Sequence, residues 1–120
     1  MRALLIDPTT QTISEVDYSG DFHHIYELLD CSTFDVVSID LAHDIYVDDE
    51  GLLKQPSMFF EYKGYQTPLA GKGLVLCHDD EGNSTAATMS LDELKSQVVF
   101  FLHIGMGVLV EVPYGDAETQ

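Results

Sequence analysis

The chain has 120 residues, 45% of them hydrophobic, and its 21 acidic against 5 basic side chains give a formal net charge of −16. That length and hydrophobic fraction favour a single folded domain over a disordered segment. The carboxylate excess argues against direct binding to nucleic acid or to an anionic membrane, because there is no basic stripe to displace counterions from phosphates. Basic protein surfaces and divalent cations are the partners that such a charge attracts.

The first part of the chain predicts a hairpin followed by a short helix. Residues 2–6 form an apolar run that ends at a Pro-containing turn, and residues 12–16 alternate apolar and polar side chains. Residues 19–21 offer helix N-cap chemistry. Four apolar side chains then recur on one face of a helix, namely Phe22, Ile25, Leu28 and Leu29.

The rest of the chain predicts further strands and a second helix. Four segments are rich in β-forming residues: 34–39, 44–47, 58–62 and 73–77. Residues 66–73 read as a loop rich in Pro and Gly. A capping box at Ser90 and Glu93 starts a helix that we expect to run through Phe101, before a last strand over 104–112. The pattern predicts an α+β domain over 1–112, an antiparallel β-sheet with two helices packed on it, and a flexible acidic tail over 113–120.

The tetrapeptide Asp-Asp-Glu-Gly occurs twice, at residues 48–51 and 79–82. An EF-hand loop needs a carboxylate at its first position and a bidentate Glu at its twelfth. With each Gly at the sixth position, Tyr46 or Cys77 takes the first position and neither loop has a Glu at the twelfth. We therefore expect two tight turns that Asp starts and in which Gly supplies a positive φ, although a loose carboxylate site for Mg²⁺ or Ca²⁺ stays open.

Catalytic and metal-binding patterns are weak. The His-Asp pairs at 43–44 and 78–79 lack zinc-site spacing, and neither Cys31 nor Cys77 has a neighbouring cation that would favour a thiolate. We expect no metal, no cofactor and no enzymatic activity. With no secretion signal, reduced thiols and a cytoplasmic setting in a host cell are expected.

Two segments are candidates for binding. The Pro and Gly loop could line a small-ligand or nucleotide pocket through Pro68, Gly71, Lys72 and Gly73. Aromatic side chains surround a predicted turn at residues 63–64, and alternation puts one set in the core and the other nearer the surface. We favour the core for most of them.

Four separated stretches carry a family resemblance: RALLIDP (2–8), IYELLDCSTFDVV (25–37), HDIYVDDEGLLK (43–54) and PLAGKGLVL (68–76). Together they resemble an uncharacterised family, domain of unknown function 3846, over about residues 2–102. The resemblance implies an accessory protein of phages, plasmids or other mobile elements. It brings no catalytic residues, and the segment from about His103 departs from the family pattern.

Charge and resemblance together suggest an acidic module that binds a basic, nucleic-acid-binding host protein. A defence component, such as a restriction or CRISPR complex, is the expected target class, and nucleic-acid mimicry is the expected mechanism. The alternatives are a protein that sequesters a small ligand or nucleotide and, as a weaker one, a metal-dependent enzyme; a homodimer is also left open. Eight carboxylates are the predicted binding residues: Asp40, Asp44, Asp48, Asp49, Glu50, Asp79, Asp80 and Glu81.

Overall fold

The computed structural model describes residues 1–54 and 56–115, apart from the side chain of Gln66. These residues form an α+β domain, as the sequence predicts. The elements are β1 (Arg2–Asp7), β2 (Thr12–Asp17), α1 (Phe22–Leu29), β3 (Phe34–Ser38), β4 (His43–Asp48), a 3-10 helix (Gly51–Lys54), β5 (Met58–Tyr62), β6 (Tyr65–Ala70), β7 (Gly73–His78), β8 (Ser84–Thr85), α2 (Leu91–Gln97), β9 (Val98–Gly105) and β10 (Val108–Val112).

The strands form two antiparallel sheets where the sequence predicts one. The first sheet has the order β2-β1-β7-β4-β3, with β8 paired to the end of β7, and the second has the order β10-β9-β5-β6. The second sheet packs on a face of the first because its strands also have an apolar side to bury. Phe60 of β5 and Phe100 of β9 lie opposite each other in register, and both are fully buried.

The first sheet is buried on both faces. Along its central strand β7, Leu74 and Leu76 pack with Ile25 and Leu29 of α1, whereas Val75 packs toward the second sheet. Successive side chains of a strand point to opposite faces, so the consecutive apolar residues of β7 supply buried side chains to both faces of the sheet. The molecule therefore has three layers: α1, the first sheet, and a layer made of the second sheet with α2.

Helix α1 begins as predicted but buries less of its apolar face. The carboxylate of its N-cap, Asp21, accepts a hydrogen bond from the His23 N–H. Phe22 was expected on the buried face, yet it is 53% exposed and stacks on His23. The helix docks through Ile25 and Leu29, one turn apart, and Phe22 lies a turn before this contact.

The predicted Pro and Gly loop over 66–73 is wrong, because Tyr65–Ala70 forms β6 and pairs with β5. Sequence reasoning treated Pro68 as a strand breaker. Since β6 is an edge strand, it tolerates a residue that has no N–H to donate. Only Gly71 and Lys72 remain as the connection to β7.

The second helix ends earlier than predicted. Its N-terminus is the capping box, with the Ser90 hydroxyl accepting from the Glu93 N–H at 3.0 Å. The helix then stops at Gln97, and Val98 begins β9 by pairing with Tyr62. Val98 and Phe100 are both buried and lie two positions apart, which is the spacing of a strand. The helical spacing of Leu94, Val98 and Phe101, on which the longer helix was predicted, is therefore not the one that the chain adopts here.

The first residues of the predicted tail are anchored. The Tyr114 hydroxyl donates to the backbone carbonyls of Lys95 and Val98, and the Gly115 N–H donates to the Gln11 carbonyl at 2.8 Å. A Cβ at position 115 would collide with the Thr10 carbonyl oxygen, so this approach requires glycine. Residues 116–120 lie outside the described residues.

Candidate acidic interaction surface

Both copies of the tetrapeptide are turns, and both start in the same way. In the first, an Asp48 carboxylate oxygen accepts from the Glu50 N–H at 2.9 Å, and in the second Asp79 accepts from the Glu81 N–H at 2.9 Å. An aspartate that accepts from the backbone two residues on is a common way to start a turn. Asp79 also accepts from the Asn83 N–H. This hydrogen bond contributes most to holding the pKa of the Asp79 carboxyl below its usual value, and the bond from the Glu81 N–H adds to it.

The two glycines serve different purposes. Gly82 has a φ of +84° and open space where a Cβ would point, which is the turn role that the sequence predicts. Gly51 has no positive φ; it begins the 3-10 helix and is buried. A Cβ there would lie 3.0 Å from the Ala70 carbonyl oxygen, so the positive φ expected at Gly51 is wrong, and contact with β6 explains the glycine.

The two turns lie at opposite ends of the first sheet. One follows β4 and the other follows β7, and these strands are antiparallel neighbours in which His43 pairs with Cys77 and Val47 with Gly73. Five residue steps along β4 separate the two ends by roughly 17 Å at about 3.3 Å per residue. The eight predicted carboxylates therefore do not form one continuous face.

One end of the sheet collects most of the predicted carboxylates. Five come from the sequence prediction, and the first turn of α2 adds two that sequence reasoning missed. Helix α2 starts here because Met89, just before its N-cap, donates its N–H to the His43 ring at 3.3 Å. We call this the acidic end, comprising Asp40, Asp44, Asp79, Asp80, Glu81, Asp92 and Glu93.

The pKa of a nearby tyrosine supports this grouping. Burial raises the pKa of the Tyr62 hydroxyl, and the negative charges of Asp40 and Glu93 raise it further. Two carboxylates from distant parts of the chain thus act on the same hydroxyl group. The position of Asp92 and Glu93 just after a capping serine was the sequence signal that could have drawn attention to them.

The carboxylates of the acidic end differ in availability. Asp44 is 6% exposed and is used inside the protein, since it accepts from the Ser38 hydroxyl at 3.0 Å and faces the His78 ring at 2.8 Å. Burial raises the pKa of Asp40, but N–H groups of Ala42 and His43 outweigh it and leave that pKa below its usual value. The side chains exposed to solvent are Asp40, Asp80, Glu81, Asp92 and Glu93.

A buried histidine holds the acidic end together. His43 is 7% exposed; its Nδ1 lies 3.2 Å from Asp40, and its Nε2 lies 3.2 Å from the Thr88 hydroxyl. A backbone N–H can only donate, so the bond from Met89 makes Nε2 an acceptor and assigns the ring proton to Nδ1. The order carboxylate, imidazole, hydroxyl resembles a nucleophilic triad, but Met89 already uses the lone pair that would accept the hydroxyl proton. The network ties residues 88–89 to β4.

The opposite end has fewer free carboxylates. Asp48 is largely covered and forms an ion pair with Lys54 at 2.6 Å, and this hydrogen bond raises the pKa of the lysine. Asp49 and Glu50 are exposed. Of the eight predicted residues, these three lie apart from the acidic end.

The predicted ligand pocket is only partly matched by a cavity. A cavity of about 230 Å³ is lined by Pro68 together with Asp35, Asp48 and Asp49. The other predicted residues, Gly71, Lys72 and Gly73, are not part of its lining. Gly73 belongs to β7, where a Cβ would lie 2.7 Å from the Phe60 ring, so that glycine serves core packing.

The aromatic segment divides as alternation predicts. Phe60 and Tyr62 are buried in the core, whereas Phe59 is partly exposed and contacts His103 edge to face. Phe59 and His103 line a second cavity of about 390 Å³ together with Leu52 and Pro56. Among the described residues, the lining of this cavity includes a histidine and no carboxylate, unlike the lining of the cavity beside Pro68.

The remaining reactive side chains show no activation. Burial, followed by the charge of Asp48, raises the pKa of the Cys31 thiol, and Cys77 is buried. Among the described residues, no three His, Cys, Asp or Glu side chains are arranged to hold a metal ion. In that part of the chain, neither helix has the length and apolar character to cross a membrane.

Comparison with known proteins identifies a family but no activity. A family model described as a domain of unknown function (DUF3846) matches residues 1–98. The uncharacterized protein y4iR of Sinorhizobium fredii is 35% identical over 81 residues, which cover 65% of this chain and 49% of that protein. The matched part thus spans about half the length of this relative. No solved structure matches the chain.

Proposed function

We propose that this chain, which belongs to the DUF3846 family, is an acidic protein-binding module that inhibits a basic host protein. The target is a nucleic-acid-binding defence component, such as a restriction or CRISPR complex, in the cytoplasm of a cell that carries a mobile element. The inhibitor occupies the groove that would otherwise hold DNA or RNA. This function requires binding and no chemistry.

The acidic end is the observation that carries the proposal. It presents exposed carboxylates from two turns and a helix start. Hydrogen bonds from backbone N–H groups to Asp40 and Asp79 fix the two turns, and the buried His43 ties the segment before the helix to β4. Arg2 approaches the same end, but its guanidinium already contacts Glu15 at 2.8 Å and donates to the carbonyls of Ala87 and Met89. Among the described residues, none of the hydrogen bonds that Arg2 makes reaches a carboxylate of the acidic end.

Carboxylates on ordered turns are suited to imitate a phosphate backbone. A basic groove attracts negative charge over several ångströms, and turns that are already formed lose little backbone entropy on binding. The formal net charge of −16 extends this attraction beyond the contact itself. Such association is fast at low ionic strength and weakens steeply as salt screens the charges.

A pair of matched charge reversals tests the proposal. The double variant Asp80→Lys/Glu81→Lys alters the acidic end, and Asp49→Lys/Glu50→Lys makes the same change of charge at the opposite end. All four side chains are exposed. The native protein and both variants are used for affinity capture from host lysate at low and high salt, and the captured basic protein is then purified.

The purified target gives the quantitative result. We expect the acidic-end variant to lose at least about tenfold in affinity, which corresponds to about 1.4 kcal/mol, and the opposite-end variant to lose much less. The native protein should release bound DNA or RNA from the target in a gel-shift assay. Equal losses for the two variants, or binding that does not respond to salt, would overturn mimicry by this surface.

A second candidate function is binding of a small ligand at the cavity beside Pro68. Three carboxylates, Asp35, Asp48 and Asp49, line that cavity, so it favours an amine over an anionic nucleotide. A thermal-shift screen with nucleotides and with polyamines tests this candidate. Stabilisation by a polyamine that Asp49→Asn abolishes supports it, whereas no shift with either class eliminates it.

A further inference from the structure

The hairpin of β9 and β10 extends beyond the rest of its sheet. The two strands pair from Phe100 and Val112 to Gly105 and Val108, but β5 pairs with β9 only as far as Leu102, and the His103 N–H then donates to the Ser57 carbonyl just before β5. Beyond His103 the hairpin is a two-stranded ribbon, and such a ribbon is only marginally stable in water without a third strand or a cover. We call residues 102–110, which comprise this ribbon and the pairs at its base, the overhanging hairpin.

The overhanging hairpin exposes apolar side chains on the face that continues the core. Phe100 is fully buried, and Leu102 follows on the same side of β9 two residues later. Val110 lies directly across from Leu102. Leu102 is 36% exposed and Val110 is 42% exposed, so the apolar face continues past the point where the first sheet and α2 cover it. Ile104, the unpaired residue of the bulge, is 61% exposed.

Strand β10 also has a free edge in the part of the chain that the structure describes. It is the end strand of the second sheet, and it contains neither Lys nor Pro, which often protect edge strands from pairing. The bulge next to the turn is on β9, where Ile104 lies between the partners of Val108 and Leu109, and it leaves Leu109 to Val112 in regular register with β9.

We propose that the overhanging hairpin joins two copies of this chain by antiparallel pairing of β10 with its counterpart. Charge distribution favours a second copy as the occupant. Residues 98–112 contain Glu111 as their only charged Asp, Glu, Lys or Arg side chain, whereas the whole chain has a net charge of −16. Two copies that met at a carboxylate-rich surface would bring many like charges together, whereas the two Glu111 side chains are the charged groups that the paired strands bring here.

The symmetry of the pairing also fits the sequence of β10. A twofold axis at Val110 places Val110 opposite itself and Val108 opposite Val112 of the second copy. Glu111 then lies across from Leu109 of the second copy, so the two carboxylates are not directly opposed. Each four-stranded sheet then continues into the other along this edge.

Sedimentation velocity at a series of concentrations, at low and high salt, tests this assembly. We expect a dimer that strengthens with salt, because salt screens the repulsion between two copies of charge −16. Binding of a basic partner through the acidic end has the opposite salt dependence, so failure of one proposal is distinguishable from failure of the other.

Two matched variants locate the interface. Val110→Glu places two carboxylates opposite each other at the axis and should raise the dimer dissociation constant at least about tenfold. Val36→Glu adds the same charge to β3, an edge strand of the first sheet, at a side chain that is 43% exposed against 42% for Val110. This control should dimerise like the native protein.

A third variant, Val108→Ser, removes an exposed apolar side chain that the pairing places opposite Val112, so it should weaken the dimer without adding charge. Circular dichroism verifies that all variants fold. A native protein that sediments as a monomer at every concentration and salt overturns the proposal. So does a Val36→Glu variant that dissociates as readily as Val110→Glu.

Discussion

The two copies of Asp-Asp-Glu-Gly have the same sequence and the same first hydrogen bond, yet their surroundings differ. At the acidic end, Asp79 caps its own turn, Gly82 adopts a positive φ, and carboxylates from α2 lie nearby. At the opposite end, Asp48 is covered and paired with Lys54, and Gly51 is buried against β6. The tetrapeptide thus determines how the turn starts, and the neighbouring elements determine what its charges and its glycine do.

The charge of the chain is divided accordingly. The opposite end neutralises one of its carboxylates with a lysine, whereas the cation that approaches the acidic end, Arg2, is bound to other groups. Two acidic tetrapeptides therefore do not amount to two equivalent binding surfaces. The three stability predictions below separate the ends further, from the largest expected effect to the smallest.

His43→Ala should have the largest effect, because it removes the buried link within the acidic end. The change leaves the Met89 N–H without its acceptor and opens a cavity, at a combined cost of about 2–4 kcal/mol in the free energy of unfolding. Urea denaturation measures the loss. His23→Ala, at an exposed histidine, is the control and should change stability by less than about 0.5 kcal/mol. Similar losses for the two variants would contradict the structural role of His43.

Substitutions of the two glycines should separate steric from conformational constraints. Gly82→Ala forces a Cβ into a positive-φ conformation and should cost about 1–2 kcal/mol, and Gly82→Asn should cost less because asparagine tolerates that conformation. Gly51→Ala should cost about 1–3 kcal/mol through contact with Ala70, and Gly51→Asn should cost more because it is larger. Thermal unfolding of the four variants measures these losses of stability. If the same substitution, Ala or Asn, were the less costly one at both glycines, the two constraints would not differ as proposed.

The smallest effect concerns the pH dependence contributed by Asp40. The pKa of Asp40 in the folded protein is below the usual value of 3.8. The contribution of this carboxylate to the free energy of unfolding is therefore fully present above pH 3.8 and is lost as the pH falls through the folded pKa. Asp40→Asn should therefore lower stability by about 0.5–1 kcal/mol at neutral pH, a modest value because the carboxylate is partly exposed. Urea denaturation at several pH values should show the difference shrinking below pH 3.8. A constant difference would contradict it.

Local signals in the sequence predicted the elements whose formation depends on near neighbours. The N-cap at Asp21, the capping box at Ser90 and the hairpin of β1 and β2 all follow from residues a few positions apart. The α+β class follows from the order of such elements. The Pro in β6 and the early end of α2 were missed because each depends on a partner strand, β5 in both cases.

The candidate surface was predicted in part. Sequence reasoning identified the carboxylates of both turns, but the separation between them depends on β4 and β7 being antiparallel neighbours. Asp92 and Glu93 were missed because their proximity to Asp40 depends on the contact between His43 and Met89, residues far apart in the chain. The predicted pocket residues Gly71, Lys72 and Gly73 do not line the cavity beside Pro68. Gly73 lets Phe60 approach β7, a contact between residues that are distant in the chain.

The sequence by itself determined the charge of the protein, its family, its local caps and the start of each acidic turn. These depend on composition and on residues close together in the chain. Only the tertiary structure decided that one acidic turn and the start of α2 lie at the same end of the sheet while the other turn is partly neutralised, and that β9 and β10 overhang the core. Strand order and sheet packing set these outcomes, and both arise from contacts between residues that are distant in sequence.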